Sequence, residues 1–421
     1  MGKNMHNQKK ALFPSLKEIP RNLWFISLTS FFMDVSSEMV LNILPLFMQN
    51  VLKVPYLAIG IIEGIAEATA SVLKVFSGWL SDRLRSRKWL AVLGYGISAF
   101  SKPFFYFANS AAAVAGIRWL DRFGKGIRTA PRDALVADSV KLQHRGFAFG
   151  LHRAADTAGA CLGILIAATI VWQLQAGGKQ LTQHTFRTIV FASILPSLLA
   201  VLALALGAKD ILVKSSRSAP KISFKGLGKN FLFFMLIVGL FDLGNSSDAF
   251  LVLRAQERGM NILNILLMLA IFNLVYTIVS TPAGALSDRV GRRKLIIGGW
   301  LIYAAIYLGF ALAKNAAQIW VLYVAYGLYY GMAYGTAKSM VTDMVPSELL
   351  GTAHGTYNAL LGILDFPASL IAGLLWSGAF GWKGFGPSAP FFFGAICAVL
   401  AAILFIFWKP RPMNETSQKI I

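Results

Sequence analysis

Apolar runs of roughly twenty residues recur along the whole chain and are separated by short polar segments. At a rise of ~1.5 Å per residue, a helix of this length crosses a hydrocarbon layer ~30 Å thick. We count about twelve such runs, and the clearest are 91–110, 185–207, 229–251, 295–313 and 389–408. The pattern predicts an all-α membrane protein with twelve transmembrane helices that contacts the lipid bilayer throughout.

The composition agrees with this prediction, because 56% of the 421 residues are hydrophobic and 14% are charged. A soluble protein has about 25% charged residues. The net charge of +21 comes from basic clusters in alternate loops and both terminal segments, which indicates cytoplasmic termini and an even number of spans. Arg254, Arg258, Lys179 and Lys383 are exceptions. No stretch interleaves basic residues with aromatic residues in a soluble domain, so nucleic-acid binding is not expected.

A short polar segment occurs twice. Residues 78–88 (GWLSDRLRSRK) return as residues 284–294 (GALSDRVGRRK) on the basic side of the membrane. A carboxylate is favoured beside a helix N-terminus, and the basic side chains can hold adjacent helices together as a cytoplasmic gating motif. The alternative is positive charge that only sets topology, which would not need Gly and Asp at fixed positions. The predicted motif comprises Gly78, Asp82, Arg83 and Arg87 with Gly284, Asp288, Arg289 and Arg293.

The repeat extends beyond this segment and predicts two similar halves. Residues 35–38 (VSSE) resemble residues 245–248 (NSSD), and Asp138 corresponds to Asp343. Residues 209–228 are polar, basic and rich in Ser and Gly, as expected of a linker. We therefore predict an N-terminal six-helix bundle (1–208), a cytoplasmic linker (209–228) and a C-terminal six-helix bundle (229–421), related by an axis along the membrane normal.

The repeated segment resembles the loop motif that the major facilitator superfamily has between helices 2 and 3 and between helices 8 and 9. Residues 118–126 are similar to the fourth-helix motif, with Asp121 replacing Gln and Arg122 replacing Gly. Gly159 and Gly163 resemble the fifth-helix antiporter motif without its proline. Residues 34–38 and 124–133 resemble a bacterial subgroup that includes nickel-resistance permeases. The resemblance implies a monomeric permease of the bacterial inner membrane whose two bundles alternate access to a central cavity lined by helix 1.

Several carboxylates lie inside the predicted spans, where an ionisable residue is expensive and usually functional. Asp34 and Glu38 share one face of helix 1, and Glu63 and Glu67 share one face of helix 2. Burial disfavours the charged form of a carboxyl group, so such a group can exchange a proton near neutral pH. We predict proton coupling through Asp34 and Glu38 first and Glu63 and Glu67 second, with sodium coupling as the alternative.

Helix 4 carries a charged stripe, since its ionisable residues follow three- and four-residue steps. The stripe comprises Arg118, Asp121, Lys125, Arg128 and Arg132, and Arg153 on helix 5 is expected at a similar depth. Its positive surplus predicts either an anionic solute or pairing with carboxylates from helices 1 and 2, and both remain open. We expect Asp121, Asp156 and Arg122 to form buried ion pairs.

Helix 10 presents an aromatic stripe of Tyr323, Tyr326, Tyr330, Tyr334 and Lys338. This stripe is either a wall that holds a solute or a packing face between helices. The full set of predicted solute-binding residues is Arg118, Lys125, Arg128, Arg132, Arg153, Tyr326, Tyr330, Tyr334, Lys338, Asn358, Asp242 and Asp248.

The chain has no motif that favours an enzyme. The segment 124–126 (GKG) lacks phosphate-loop spacing, and the five histidines have no metal-ligand spacing. We expect no metal site and no cofactor other than the proton gradient. The leading hypothesis is a proton-coupled secondary transporter of a small polar or charged solute, with export favoured. Uptake of an anionic, carboxylate-rich solute such as a siderophore is one alternative, and a non-transporting membrane sensor or scaffold is another.

Overall fold

The computed structural model describes residues 19–84, 86–140, 145–175, 177–210, 227–345 and 349–408, and these ranges are helical almost throughout. The helices are α1 (Arg21–Leu41), α2 (Leu44–Asn50), α3 (Tyr56–Leu84), α4 (Lys88–Ser101), α5 (Phe104–Phe107), α6 (Ala111–Asp138), α7 (Arg145–Gln175), α8 (Gln183–Leu202), α9 (Gly228–Leu243), α10 (Ala249–Glu257), α11 (Ile262–Val290), α12 (Arg292–Leu312), α13 (Ala316–Met344), α14 (Leu350–Ser377) and α15 (Ala389–Phe407). A π-helical turn extends α8 over Ala203–Gly207.

Three spans are interrupted. If α1 with α2, α4 with α5, and α9 with α10 are each counted as one span, the described residues contain twelve spans. Eight of the helical spans are long and apolar enough by composition to cross a membrane. The charges of α6 reduce its apolar signal, yet Arg118, Asp121 and Arg128 are buried inside the protein. The all-α membrane architecture predicted from the apolar runs is confirmed.

The helices pack into two groups. In the first half of the chain, α1 packs on α7 and α8, and α6 packs on α3 and α4. In the second half, α13 packs on α11 and α12, and α15 packs on α9 and α12. The two halves meet mainly where α3 packs on α14 and α7 packs on α11. The predicted boundaries of the bundles stay a prediction, and residues 211–226 of the predicted linker lie outside the described residues.

The halves are joined at one end of the molecule, where α2 and α10 finish and α3 begins. The Asn50 and Gln256 side chains exchange hydrogen bonds of 2.9 and 2.6 Å. Nearby, the rings of Tyr56 and Trp376 stack at 4.7 Å, and the Ile262 amide donates to the Gly178 carbonyl at 3.2 Å. We call this end, marked by Asn50, Tyr56, Gln256 and Trp376, the closed end.

At the opposite end, one ion pair occurs in both halves. Arg87 pairs with Asp138 at 2.7 Å, which joins the start of α4 to the end of α6. Arg292 pairs with Asp343 at 2.5 Å, which joins the start of α12 to the end of α13. Alignment of the repeated segments predicts Arg293 as the counterpart of Arg87. In the structure Arg292 makes that contact, and Arg293 instead donates to the Phe405 and Ile406 carbonyls at 2.8 and 2.7 Å.

Arg254 is an exception to the loop-charge pattern, and the structure gives the reason. The side chain is fully buried. Its guanidinium donates to the Phe310 and Ala311 carbonyls at 3.0 and 2.9 Å and to the Ser388 hydroxyl at 3.0 Å, and it pairs with Glu257 at 2.8 Å. The residue therefore ties α10 to the last turn of α12 and to the start of α15.

Several helices approach each other closely at glycines, as small residues allow in membrane bundles. A Cβ atom built on Gly124 of α6 would lie 2.6 Å from the Gly94 carbonyl oxygen of α4. A Cβ atom on Gly159 or Gly163 of α7 would meet the backbone of α1 at Phe31 and Val35. The two α7 glycines that resemble an antiporter motif are thus packing residues between α7 and α1 in this structure.

Substitution of Gly124 by Ala tests the packing of α4 on α6. The new methyl group would lie 2.6 Å from the Gly94 carbonyl oxygen and 2.8 Å from the Ser98 amide nitrogen, so the helices must move apart. We expect the free energy of unfolding to fall by about 1–3 kcal/mol, the usual effect of overpacking. Thermal or denaturant unfolding of the purified protein in detergent measures it.

Gly96→Ala on α4 is the matched control, because nothing lies within 4 Å of a Cβ atom added there. Alanine is a better helix former than glycine, so we expect stability to stay the same or to rise by up to about 1 kcal/mol. Equal unfolding free energies for the two variants would contradict this description of the α4–α6 contact.

Candidate functional site

A cavity of about 950 Å³ lies between the two halves. Helices α1, α2, α3, α6 and α7 line one side, and α9, α10, α11, α13 and α14 line the other. The cavity extends from Pro45 and Val252, on the side of the closed end, to Arg132 and Lys338. Its lining is rich in ionisable groups, which fits charges at membrane depth that face an aqueous space.

The second-ranked coupling residues, Glu63 and Glu67, lie in a buried network with the cations of α6. Arg118 pairs with Glu63 at 2.6 Å and with Glu67 at 3.2 Å. Arg122 pairs with Glu67 at 2.7 Å. Glu63 and Arg118 are 4% and 3% exposed, so their charges depend on each other for stabilisation. These contacts fix α3 against α6.

Asp121 continues the same network in the direction of α4. Lys102, between α4 and α5, lies 3.2 Å from Asp121 and is completely buried. Arg118 also lies 3.8 Å from Asp121. The structural role expected for Asp121 and Arg122 agrees with these contacts. Lys102 was not predicted, although it lies inside the apolar run 91–110, where an ionisable residue is the same signal that identified the carboxylates of helices 1 and 2.

The first-ranked coupling residues, Asp34 and Glu38, both line the cavity from α1. Glu38 accepts a hydrogen bond from the Asn42 amide at 2.8 Å. Asp34 has no hydrogen-bond or ion-pair partner among the described residues, although Lys125, Arg128 and Asp156 lie within electrostatic range. Asp34 is thus a carboxylate that faces the cavity without a committed partner.

The remaining α6 cations differ in their surroundings. The Arg128 guanidinium donates to the Ser98 hydroxyl at 2.5 Å and lies over the Tyr95 ring at 4.6 Å. Arg132 pairs with Asp133 at 2.8 Å. Lys125 lines the cavity, and its ammonium group has no hydrogen bond or ion pair to another described residue. The predicted stripe therefore faces the cavity as a whole, but only part of it is held by fixed partners.

On α7, Arg153 reaches across to the other half, where it donates to the Tyr276 hydroxyl of α11 at 3.0 Å. His152 and Asp156, which also line the cavity, lie 3.8 Å apart. The predictions missed Tyr276, which also stacks with Phe272 at 6.4 Å. A tyrosine in an apolar run is an ordinary membrane residue, so the sequence offers no signal for it.

The second half contributes an acidic and aromatic wall. Asp242, Asp248 and Asp365 line it from α9, from the break before α10 and from α14. Tyr326 stands behind this surface and donates to Asp248 at 3.1 Å. The other predicted residues at this wall are Tyr323, Tyr330, Lys338 and Asn358, which line the cavity.

Some predicted residues cannot be placed. The side chains of Asp82, Asp288, Arg289 and Tyr334, and the surroundings of Gly284, lie outside the described residues. Within the described part of the gating motif, Arg83 is exposed and lies over the Trp79 ring at 5.3 Å. Gly78 packs near Ala130 of α6, 3.4 Å from an added Cβ atom.

The charges of the described lining are balanced in the first half and acidic in the second. In the first half, as many cations as carboxylates line the cavity. The cations are Lys74, Arg118, Arg122, Lys125, Arg128, Arg132 and Arg153, and the carboxylates are Asp34, Glu38, Glu63, Glu67, Asp121, Asp133 and Asp156. In the second half, Lys338 faces Asp242, Asp248 and Asp365. Two explanations were left open for the α6 stripe, an anionic solute or pairing with carboxylates. The structure shows pairing with α3 carboxylates at Arg118 of the stripe, and also at Arg122 beside it.

A family model described as Major Facilitator Superfamily matches residues 26–366 and 232–420. An uncharacterized MFS-type transporter of Methanocaldococcus jannaschii is 32% identical over 397 residues, which cover 93% of this chain and 96% of that protein. An uncharacterized protein of Mycobacterium tuberculosis is 32% identical over 113 residues, or 27% of each chain.

Solved transporter structures share the fold at low sequence identity. The nucleoside transporter NupG aligns with a TM-score of 0.72 at 15% identity and covers 92% of this chain and 99% of its own. A bacterial homolog of the human lysosomal transporter Spinster, in an inward-facing and occupied conformation, aligns with a TM-score of 0.73 at 14% identity and covers 92% and 98%. With a family model over nearly the whole chain and a relative aligned over nearly its full length, this chain belongs to the Major Facilitator Superfamily of membrane transporters.

Proposed function

We propose that the protein is a proton-coupled secondary transporter that moves a small polar or charged solute through its central cavity by alternating access. The observation that carries the proposal is the charged cavity of about 950 Å³ between two halves that are joined at the closed end. Alternating access needs a site between two bundles that can rock about it.

The basic loops predict that the closed end faces away from the cytoplasm, so the cavity opens inward in this state. The Spinster homolog that shares the fold was solved in an inward-facing conformation. Export is the direction expected from the subgroup resemblance. Uptake of an anionic siderophore would favour a surplus of cations, and the described lining has none.

Asp34 is the group best placed to carry the coupling proton. Its carboxyl group faces the cavity from α1 with no hydrogen-bond or ion-pair partner in the described structure. The group can therefore bind or release a proton without breaking a contact. Glu63 and Glu67 hold Arg118 and Arg122 instead. Protonating Glu67 would leave the buried Arg122 guanidinium without its counter-charge, and protonating Glu63 would remove the nearest carboxylate of Arg118, so both are unfavourable.

A ligand screen followed by a flux assay tests the proposal. Purified protein is screened by thermal shift against anions, metal chelates, metal ions and organic cations, since a ligand that binds the folded state stabilises it. The compound identified is then assayed in proteoliposomes under an imposed pH gradient. We expect flux that follows the gradient and stops when an ionophore collapses it. Flux that is indifferent to the gradient would reject proton coupling, and binding without any flux would reject transport.

In the same assay, Asp34→Asn removes the ionisable group at nearly constant shape. We expect gradient-driven flux to fall at least about tenfold, as for loss of a positioned proton carrier. Exchange of labelled for unlabelled solute, which needs no net proton movement, should persist in the variant and serves as its own control for folding and binding. Gradient-driven flux at the wild-type rate would show that Asp34 does not carry the proton.

Arg118→Met and Lys125→Met separate structural from functional cations on one helix face. Loss of Arg118 leaves Glu63 buried without a partner, so we expect the free energy of unfolding to fall by about 3–5 kcal/mol. The Lys125 ammonium group has no described partner that would be left unpaired. Its replacement should therefore change the free energy of unfolding by less than about 1 kcal/mol while reducing solute flux. Unfolding in detergent and flux in proteoliposomes are the two measurements.

The reverse order of stabilities, with Lys125→Met the less stable variant, would contradict the assignment of Arg118 to the structural network. Wild-type flux in Lys125→Met would remove Lys125 from the solute site.

A further inference from the structure

The cavity walls differ in how their charges are satisfied. On the α6 side, Arg118, Arg122 and Arg132 each have a carboxylate within ion-pair distance. Across the cavity, three carboxylates line the second half together with a single described lysine, Lys338. The described part of this second wall therefore has fewer cations than carboxylates.

Asp242 shows the imbalance most directly. It lies on α9, is 6% exposed and lines the cavity. One of its two carboxylate oxygens has no hydrogen-bond partner in the described part of the chain. A second carboxyl group, that of Asp365 on α14, lies within electrostatic range of Asp242. A buried carboxylate oxygen without a donor is costly, so a donor from outside the protein is expected to fill the position.

Aromatic rings line the same side of the cavity as these carboxylates. Phe272 of α11 lines the cavity between Tyr323 and Tyr330, at ring-centroid distances of 5.4 and 5.5 Å. Tyr326 stacks on Phe272 at 5.6 Å and also donates to Asp248. Ring faces beside carboxylates suit an organic ammonium group, because both attract positive charge and the rings accept the carbon body attached to it.

We propose that the wall formed by Asp242, Asp365 and Asp248 with Phe272 and its neighbouring tyrosines binds a protonated amine of the transported solute. The ammonium group donates to the open oxygen of Asp242 and is neutralised by Asp365, and its carbon body packs on Phe272. The inference rests on the proposed transport function and specifies its substrate class as an amine-bearing solute.

The test is equilibrium binding to the purified, full-length protein, measured by calorimetry in detergent. The probes share one phenyl ring and one two-carbon chain: phenethylammonium is cationic, phenylethanol is neutral and hydrocinnamate is anionic. We expect saturable binding of phenethylammonium and at least about tenfold weaker binding of the other two. Asp242→Asn and Asp365→Asn should each weaken phenethylammonium binding by a similar factor.

Asp343→Asn is the matched control, because it is the same substitution in the same half at a residue outside the cavity lining, paired with Arg292. It should bind phenethylammonium as the wild type does. Each variant's melting temperature without ligand reports whether it is folded, and the three-probe comparison on wild-type protein does not depend on any variant.

Three outcomes would overturn the inference: equal binding of the three probes, no binding of phenethylammonium, or undiminished binding by folded Asp242→Asn and Asp365→Asn. Saturable binding of sodium ions with no amine binding would assign the wall to an inorganic cation instead. Because this assay measures binding, amine binding without gradient-driven flux would reject the proposed function alone, and gradient-driven flux of a solute without amine binding would reject this inference alone.

Discussion

The rest of this structure depends on how buried charge is satisfied at membrane depth. The ion pairs of Arg118 with Glu63 and of Arg122 with Glu67 hold α3 on α6, and Lys102 with Asp121 extends the contact towards α4. Removing one partner from such a pair is strongly unfavourable because the other charge stays buried. The network therefore sets the position of the first half's cavity wall, and with it the depth at which Asp34 and Lys125 face the cavity.

Much of the architecture was predictable because it follows from the local periodicity of apolar and charged residues. Apolar runs gave the spans, and three- and four-residue steps placed the α6 charges on one face, which the structure shows lining the cavity. The same reasoning predicted that Asp34, Glu38, Glu63 and Glu67 face the cavity, since a charged residue within a membrane-spanning helix must face water or a partner. Whether these residues couple protons or bind solute stays a prediction.

What could not be predicted is which charge meets which. Pairing depends on the register between helices far apart in sequence, and one residue of shift changes the partner: Arg292, not Arg293, makes the contact that Arg87 makes in the first half. Lys102 has its partner on α6 and Arg254 binds carbonyls of α12, so neither follows a local pattern. The surplus of carboxylates on the second wall could not be predicted either, because its residues lie on α9, before α10 and on α14 and meet only through tertiary packing.

One feature of the pairing bears on the energetics of motion. The ion pairs described above each join residues of the same half, from Arg118 with Glu63 to Arg292 with Asp343. Contacts that cross between halves are of another kind, such as the amide hydrogen bonds of Asn50 with Gln256 and the hydroxyl bond of Arg153 with Tyr276. Such bonds exchange readily with water at modest net expense. Tilting one half against the other would therefore leave each of these described ion pairs intact, and would break contacts such as these hydrogen bonds between the halves instead.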